Sequence, residues 1–314
     1  MSHFTVAVIH TEDENIEDVL APFQENNMGD CPEEYLEFND VTEENLHDYE
    51  NGTTKKIQSP QGVLESPYDD RFKNPKWDFR SDKEVLRYVY PEGYVEVEKP
   101  NKELWATFDE YMSDYCGYTK DEERGTYGYW ENPEARWDWY QVGGRWKGML
   151  RVRPGTEGGH GSASLIAGTD TEKEADPLWC DGAKIADVDW NAMKTLGDAK
   201  RAKWYDEAMQ WVEDHKEGKT DDDIRNHLNW HFGLNTKEDG MFESKEEYIA
   251  KDSGFSTYSV LEDGEWKEAD KMGWFGCGAV GEEKEKWNEN YPDMIARWIA
   301  EKPDHIITIV DCHI

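Results

Sequence analysis

The apolar residues of this chain form short runs at its two ends and helix-like patterns between them. The runs from Phe4 to Ile9 and from His305 to Asp311 are rich in β-branched residues, which is typical of strands in the middle of a sheet. Two such strands can pair only if the whole chain closes into one body. We therefore predict an α+β fold in which a mixed or antiparallel central sheet joins the N- and C-terminal strands.

Two amphipathic patterns in the middle of the chain have the period of a helix. The first runs from Arg201 to Lys216 and the second from Asp221 to Trp230. The aspartates that open the second pattern suit the positive end of a helix dipole. We predict a mainly helical insertion at residues 170–250, which would separate two parts of the α+β core at residues 1–169 and 251–314.

Shorter patterns predict further elements on both sides of this insertion. Helices are expected at residues 15–23, 102–115 and 287–300, with another helix start at Thr42. Strands are expected at residues 93–97, 256–261 and 265–267, the last two joined by a turn at Glu262-Asp263-Gly264.

The segment Trp137–Trp146 reads WDWYQVGGRW and is dense in aromatic residues. A Gly-Gly pair between apolar runs predicts a β-hairpin across residues 137–152, because both glycines can adopt a positive φ. Strand alternation would place Trp137 and Trp139 on one face and Tyr140 on the other.

Arg145 follows the two glycines, where the backbone can approach a ligand closely. A guanidinium among indoles can bind an anion, a carboxylate or a stacked base, but it can equally stack on tryptophan and pair with a nearby acid. Residues 272–276 contain a similar mixture of aromatics and glycines. If both segments face one cleft, its ligand-binding side chains are Trp137, Trp139, Arg145, Trp146 and Trp274.

Three further residues are weaker candidates for chemistry. His160 lies in a glycine-rich loop and could act as an acid or base, although no motif such as GxSxG surrounds it. Asp311 and His313 stand at the end of the C-terminal strand. No set of ligands sufficient for a metal converges in the sequence, so we predict neither a metal nor a cofactor.

The composition adds a strongly negative charge. Of the 314 residues, 70 are acidic and 35 are basic, which gives a formal net charge of -35, and the aromatic content of 13% argues against disorder. Such a field repels nucleic acids and anionic membranes and attracts basic proteins. The surface could be a merely solvated one, could bind a basic protein, or could mimic nucleic acid.

Cysteine usage and missing motifs exclude several classes of protein. Five cysteines without a close pair give neither a disulfide framework nor a zinc site, which is typical of a reducing cytosol. The first residues lack the basic region of a signal peptide, and no apolar run reaches the length of a membrane span. The phosphate-loop, dinucleotide-binding, zinc-protease and kinase motifs are absent from the sequence.

The most distinctive short motifs of the chain lie at both ends and in the middle. They are HFTVAVI at 3–9, LAPF at 20–23, YWENP at 129–133, WDWYQVGGRW at 137–146, DGEW at 263–266, MGWFG at 272–276 and VDCHI at 310–314. Together they resemble a family of bacteriophage and bacterial proteins that has no established activity. The resemblance implies a phage or prophage origin and, with it, a location in the host cytoplasm.

Two functions remain open. The first is a phage accessory protein that binds and inhibits a host protein with a basic surface, such as a defence or nucleic-acid-handling factor. The second is an enzyme or a ligand-binding protein whose aromatic cleft, with Arg145, holds an anionic or nucleotide-like molecule. Whether the protein is an enzyme is not decided by the sequence.

Overall fold

The computed structural model describes residues 3–74, 76–78, 83–85, 87–163, 176–237, 242–251, 254–268 and 282–314. The chain divides into two compact units. One combines Met1–Tyr35 with Glu134–Ile314, and the other is the intervening segment Leu36–Pro133.

The strands of the described residues are, in chain order, β1 (His3–His10), β2 (Glu37–Asp40), β3 (Thr53–Gln58), β4 (Leu64–Glu65), β5 (Lys76–Asp78), β6 (Lys83–Val85), β7 (Val95–Pro100), β8 (Lys120–Asp121), β9 (Thr126–Glu131), β10 (Trp139–Gly144), β11 (Leu150–Arg151), β12 (Ser162–Ala163), β13 (Trp179–Cys180), β14 (Gly182–Lys184), β15 (Ser259–Glu262), β16 (Glu265–Glu268) and β17 (Ile306–His313).

The α-helices of the described residues are Ile16–Leu20, Thr42–Asn51, Asn101–Leu104, Phe108–Glu110, Trp190–His215, Asp221–Phe232, Lys245–Ala250, Glu282–Glu289 and Tyr291–Glu301. Short 3-10 helices span Ala21–Phe23, Glu33–Tyr35, Asp70–Phe72 and Ile185–Asp187, and a π-helix spans Tyr111–Cys116. In the part of the chain that the structure describes, none of these helices combines the length and apolarity needed to cross a membrane.

The predicted pairing of the two ends is confirmed. β1 and β17 are antiparallel neighbours over their full length, from His3 opposite His313 to His10 opposite Ile306. The sheet runs in the order β12-β10-β17-β1-β15-β16, with β1 parallel to β15 and the other pairs of β1 and β17 antiparallel. The fold is therefore α+β with a mixed central sheet, as predicted.

Both faces of the central sheet are covered, which explains why β1 and β17 are almost continuously apolar. Phe4, Val6 and Val8 point to one face, where they pack with the helix that ends at Leu20. Ala7 and Ile9 point to the other face, where they meet the buried side of the helix Tyr291–Glu301. A polar substitution on either face of β1 would consequently leave an unsatisfied group in a core.

The predicted hairpin across residues 137–152 does not form. β10 pairs with β17 and β12, whereas β11, the strand that follows the turn, pairs with β13. Gly143 and Gly144 do adopt positive φ, at 76° and 54°. Their conformation ends β10 and turns the chain away. One edge of β10 pairs with β17 and the other with β12, so β11 does not pair with it.

The helical segment forms a cluster of its own. Ala208, Ile224, Leu228, Leu234 and Tyr248 are its buried residues, drawn from three helices and the loop between two of them. The long helix begins after Asp189, whose carboxylate accepts a hydrogen bond from the Ala192 backbone N–H at 3.0 Å. The mainly helical character of this region is confirmed, and the segment belongs to the same compact unit as the central sheet. The domain boundaries at 169 and 250 stay a prediction.

The segment Leu36–Pro133 builds a separate small core. Tyr49, Tyr111, Met112 and Tyr127 are buried in it, and its strands form the ladders β2-β9-β8, β4-β3-β7 and β5-β6. The helix predicted at residues 102–115 is interrupted at Trp105, which is extended, and then resumes as a short α-turn and a π-helix.

Candidate functional sites on the central sheet

The structure separates two of the predicted cleft residues. Trp137 precedes β10, is buried against Tyr140 and donates its indole N–H to the Leu20 carbonyl at 3.0 Å. Trp146 packs with the core on the other face of the sheet. The predicted alternation of Trp137 and Trp139 on one face is wrong, because Trp137 lies outside the strand and is therefore not bound by its periodicity.

Trp139 and Arg145 are the accessible members of the predicted set. Trp139 is 41% exposed. Arg145 is exposed, and in the described part of the chain its guanidinium forms no ion pair, although its backbone N–H donates to Asp311 Oδ2 at 2.9 Å. Trp274 lies outside the described residues. The structure thus does not assemble one cleft from Trp137, Trp139, Arg145 and Trp146.

The two glycines before Arg145 have a specific structural role. A Cβ on Gly144 would lie 2.4 Å from Asp311 Oδ2, and one on Gly143 would lie 2.8 Å from the Asp181 carboxylate. Both aspartates are buried, and Asp181 accepts hydrogen bonds from the backbone N–H groups of Gly148 at 2.6 Å and Gly161 at 2.7 Å. The Gly-Gly pair therefore admits two buried carboxylates that tie the turn to the sheet.

Two histidines stand beside Asp311, each held by a carboxylate through Nδ1. His3 contacts Asp311 Oδ1 at 2.8 Å, and His313 contacts Asp138 Oδ1 at 2.6 Å. The two imidazole rings meet edge to face with centroids 5.0 Å apart. His313 Nε2 is buried and, within the described residues, has no hydrogen-bond partner. Of the predicted candidates, Asp311 and His313 are thus brought together in this cluster.

Glu25 is affected by the same cluster. Its burial raises the pKa of the carboxyl, and the neighbouring negative charge of Asp138 raises it further. The cluster is nevertheless short of metal ligands. In the described ranges no group of three or more His, Cys, Asp or Glu side chains is placed to hold a metal ion.

His160 lines a cavity of about 400 Å³ on the sheet. The other lining residues come from the ends of β1 and β17, from β10 and β14, and from the glycine-rich loop, and they are His10, Val142, Glu157, Gly159, Gly182, Ala183, Lys184, Ile306 and Thr308. The cavity lies where β10 and β14 share one edge of β17, the first at residues 310–313 and the second at residues 306–308.

The glycine-rich loop closes this gap because its glycines let the backbone approach the sheet. A Cβ on Gly161 would lie 2.0 Å from the Val142 carbonyl oxygen, and one on Gly158 would lie 2.4 Å from the Cys180 side chain. Gly159 exchanges backbone hydrogen bonds with Gly182. This loop, which the sequence reveals only by its glycines, is therefore hydrogen-bonded to the edge of the sheet.

His10 and Thr308 form a hydrogen-bonded pair inside this cavity. His10 Nε2 lies 2.9 Å from Thr308 Oγ1, and His10 Nδ1 lies 2.8 Å from the Thr11 carbonyl oxygen. Since a carbonyl only accepts, Nδ1 carries the proton of the neutral ring. Nε2 is then the acceptor, and the Thr308 hydroxyl donates to it.

Sequence reasoning missed five of the polar residues at these sites: His3, His10, Asp138, Asp181 and Thr308. Each lies next to or within an apolar run, and none belongs to a motif of known chemistry. The only available signal was that His3 and His10 bracket one predicted central strand while Thr308 and Asp311 lie on the other, so that pairing would bring them together.

The stretch from Thr11 to Glu34, here called the acidic segment, carries the most one-sided charge. Lys and Arg are absent from residues 1–54. The exposed carboxylates of the acidic segment belong to Glu12, Asp13, Glu14, Glu17, Asp18, Asp30, Glu33 and Glu34. As far as the structure describes the chain, Glu12 is the one among them with a salt bridge, to Lys184 at 3.3 Å.

No protein-family model matches this chain, and no curated protein and no solved structure shows significant similarity to it.

Proposed function

We propose that this protein binds a basic surface of another protein through the acidic segment. The partner we propose is a host defence or nucleic-acid-handling protein, and the protein itself is proposed to be a phage-borne inhibitor that acts in the host cytoplasm. The proposal of a phage origin depends on the resemblance of the short motifs described above, and the proposal of a basic partner depends on charge.

The observation that carries the proposal is the surplus of unpaired carboxylates on the acidic segment. Seven of the eight exposed acids named above have no salt bridge among the described residues. Exposed like charges repel one another, so most of this surplus charge is not needed to hold the fold together. A basic partner would remove that repulsion on binding, and opposite potentials would accelerate the encounter.

The helix Ile16–Leu20 and its flanks give the acidic segment a fixed shape. Asn15 caps the helix by accepting from the Glu17 backbone N–H at 3.3 Å, and Leu20 and Phe23 anchor it in the core of the sheet. The helix covers one face of the sheet, and its Glu17 and Asp18 side chains are exposed to solvent. A preorganised charged surface loses less entropy on binding than a disordered acidic tail.

A matched pair of variants tests this proposal. One changes Asp13, Glu17, Asp18, Asp30 and Glu33 to the corresponding amides, and the control changes the exposed acids Asp214, Glu217, Asp221, Glu246 and Glu301 in the same way. Both have the same net charge, so only the location differs. Capture from host lysate at low salt should recover a basic protein with the native chain and the control but not with the acidic-segment variant.

Two results would contradict the proposal. The first is that the native chain recovers no basic partner at low salt, and the second is that both variants lose the partner equally. The second result would mean that total charge, and not the acidic segment, determines binding.

A second candidate function is the binding of an anionic ligand at Trp139 and Arg145. It is supported by the exposure of both side chains and by the absence of an ion pair at the Arg145 guanidinium in the described part of this very acidic chain. Titration with ATP as the probe should quench tryptophan fluorescence, and Arg145→Ala should abolish the response. Quenching that survives Arg145→Ala would contradict this assignment.

A further inference from the structure

We propose that the cavity between β10 and β14 is a hydrolytic site for small, uncharged carboxylic esters, with Thr308 as the nucleophile and His10 as the general base. This activity goes beyond the proposed protein binding and does not depend on it. Its basis is a hydroxyl and an imidazole that line one cavity, with a backbone carbonyl that orients the imidazole.

The geometry meets the requirement for an activated nucleophile. A nucleophile must lie within hydrogen-bond distance of a base, and a third group must orient that base. Thr308 Oγ1 is 2.9 Å from His10 Nε2, and the Thr11 carbonyl fixes the ring at 2.8 Å from Nδ1. The Thr11 carbonyl thereby selects the tautomer in which Nε2 accepts the hydroxyl proton.

The cavity gives a substrate access to this pair. Thr308 and His10 are mostly buried in the protein yet both line the cavity, whose volume of about 400 Å³ lies in the range of small-ligand sites. Gly182 lies opposite Thr308 in the sheet, and a Cβ there would lie 3.2 Å from Thr308 Oγ1. The glycine keeps open the space beside the hydroxyl.

The lining favours an uncharged acyl group. Val142, Ala183 and Ile306 supply apolar walls, while Glu157 and the strongly negative chain disfavour anionic substrates such as phosphate esters. Lys184 also lines the cavity, and its Nζ lies 3.3 Å from Glu12 Oε2. Its ammonium group can stabilise the negative charge that develops on the carbonyl oxygen during attack.

The chemical steps balance with groups of this chain and water alone. Thr308 Oγ1 attacks the ester carbonyl carbon while its proton moves to His10 Nε2. The carbon–oxygen bond to the alcohol then breaks, and His10 returns the proton to the departing alkoxide. Water, deprotonated by His10, next attacks the acyl-threonine, releases the carboxylic acid and restores the Thr308 hydroxyl.

The experiment measures hydrolysis of p-nitrophenyl acetate by the full chain and locates any acetyl adduct by peptide mass spectrometry. The native chain should hydrolyse the ester and carry the acetyl group on Thr308. Thr308→Val should reduce the rate by about 10²-fold or more, and Thr308→Ser should retain activity because it keeps the hydroxyl. His47→Gln, which removes an exposed histidine of the other unit, serves as the control for nonspecific imidazole catalysis.

Each other outcome overturns the proposal. These outcomes are an absence of hydrolysis by the native chain, an unchanged rate in Thr308→Val, an adduct on another residue, or a loss of activity in His47→Gln equal to that in Thr308→Val. If Thr308→Val fails to fold, a folded but inactive Thr308→Ser overturns the proposal in its place.

Discussion

Carboxylates inside this protein and carboxylates on its acidic segment have opposite surroundings. Inside, Glu262 is fully buried and accepts hydrogen bonds from Arg297 at 2.6 Å and from the Trp298 indole at 3.0 Å, with Lys302 2.9 Å away. Asp311 and Asp181 are likewise held by backbone N–H groups and, for Asp311, by His3. On the acidic segment, almost all of the described carboxylates have no cation beside them.

This difference separates structural charge from surplus charge. A buried carboxylate without partners would strongly destabilise the fold, so each one inside is matched by donors. An exposed carboxylate has no such requirement, because water solvates it. The acidic segment could therefore accumulate negative charge at little cost in stability, which leaves that charge available for a partner.

The largest effect is expected at Glu262. Glu262→Gln leaves Arg297, Lys302 and Lys267 without their shared counter-charge, and we expect a loss of about 3–5 kcal/mol in the free energy of unfolding. Urea denaturation measures it. Glu17→Gln on the acidic segment is the control and should stay within about 0.5 kcal/mol of the native chain. Equal losses in the two variants would contradict the proposed difference between buried carboxylates and those of the acidic segment.

The same site predicts how stability depends on pH. Burial alone would raise the pKa of Glu262, but hydrogen bonds from Arg297, Lys302 and Lys267 hold it at about 2. A depressed pKa stabilises the fold above the unfolded value of about 4.5, and this contribution of about 3 kcal/mol is lost as the pH falls from there towards 2. Denaturation at pH values across this window should show a smaller decline for Glu262→Gln than for the native chain.

A smaller effect is expected at the turn that admits Asp311. Gly144→Ala combines a positive φ with a Cβ 2.4 Å from the Asp311 carboxylate, and we expect a loss of about 2 kcal/mol or more. Gly29→Ala has a similar φ of 73° but open space around its Cβ, so it should lose only about 1 kcal/mol. Thermal unfolding compares the two variants, and a Gly144→Ala loss no greater than that of Gly29→Ala would show that the buried carboxylate does not require the glycine.

The acidic segment should respond least in stability. The five-site amide variant of Asp13, Glu17, Asp18, Asp30 and Glu33 removes repulsion between neighbours but also removes Glu17 and Asp18 from the first turn of a helix, where they suit its dipole. These effects oppose each other, so we expect the melting temperature to remain within a few degrees of the native one. A large decrease would mean that the segment is structural.

The elements with strong local patterns were predictable from the sequence. β1 and β17 were found from their apolar runs, and the amphipathic patterns at 201–216 and 221–230 predicted two helices. The first of these helices begins earlier than its pattern, at Trp190. The hairpin predicted at Gly143-Gly144 was wrong, because glycine is also needed where a carboxylate lies too close to the backbone for a Cβ. Only the register of the sheet reveals Asp311 beside Gly144.

The candidate sites were less predictable, because their residues are brought together by the register of the sheet and not by local sequence. Asp311 and His313 were named from their place at the end of a strand, yet their partners His3 and Asp138 are more than a hundred residues away in sequence. The cavity needs β10 and β14 to meet β17 side by side, which no local pattern indicates. His160 was found because of its glycines, while His10 and Thr308 looked like ordinary positions in apolar strands.

Binding through the acidic segment is tested most sharply by the affinity of the basic partner recovered from host lysate for three forms of this protein: the native chain, the acidic-segment variant and the variant with Asp214, Glu217, Asp221, Glu246 and Glu301 changed. We predict that the acidic-segment variant binds at least about tenfold more weakly than the control, with a shallower dependence on salt. Equal affinities and equal salt dependence of the two variants would contradict a binding role for the acidic segment.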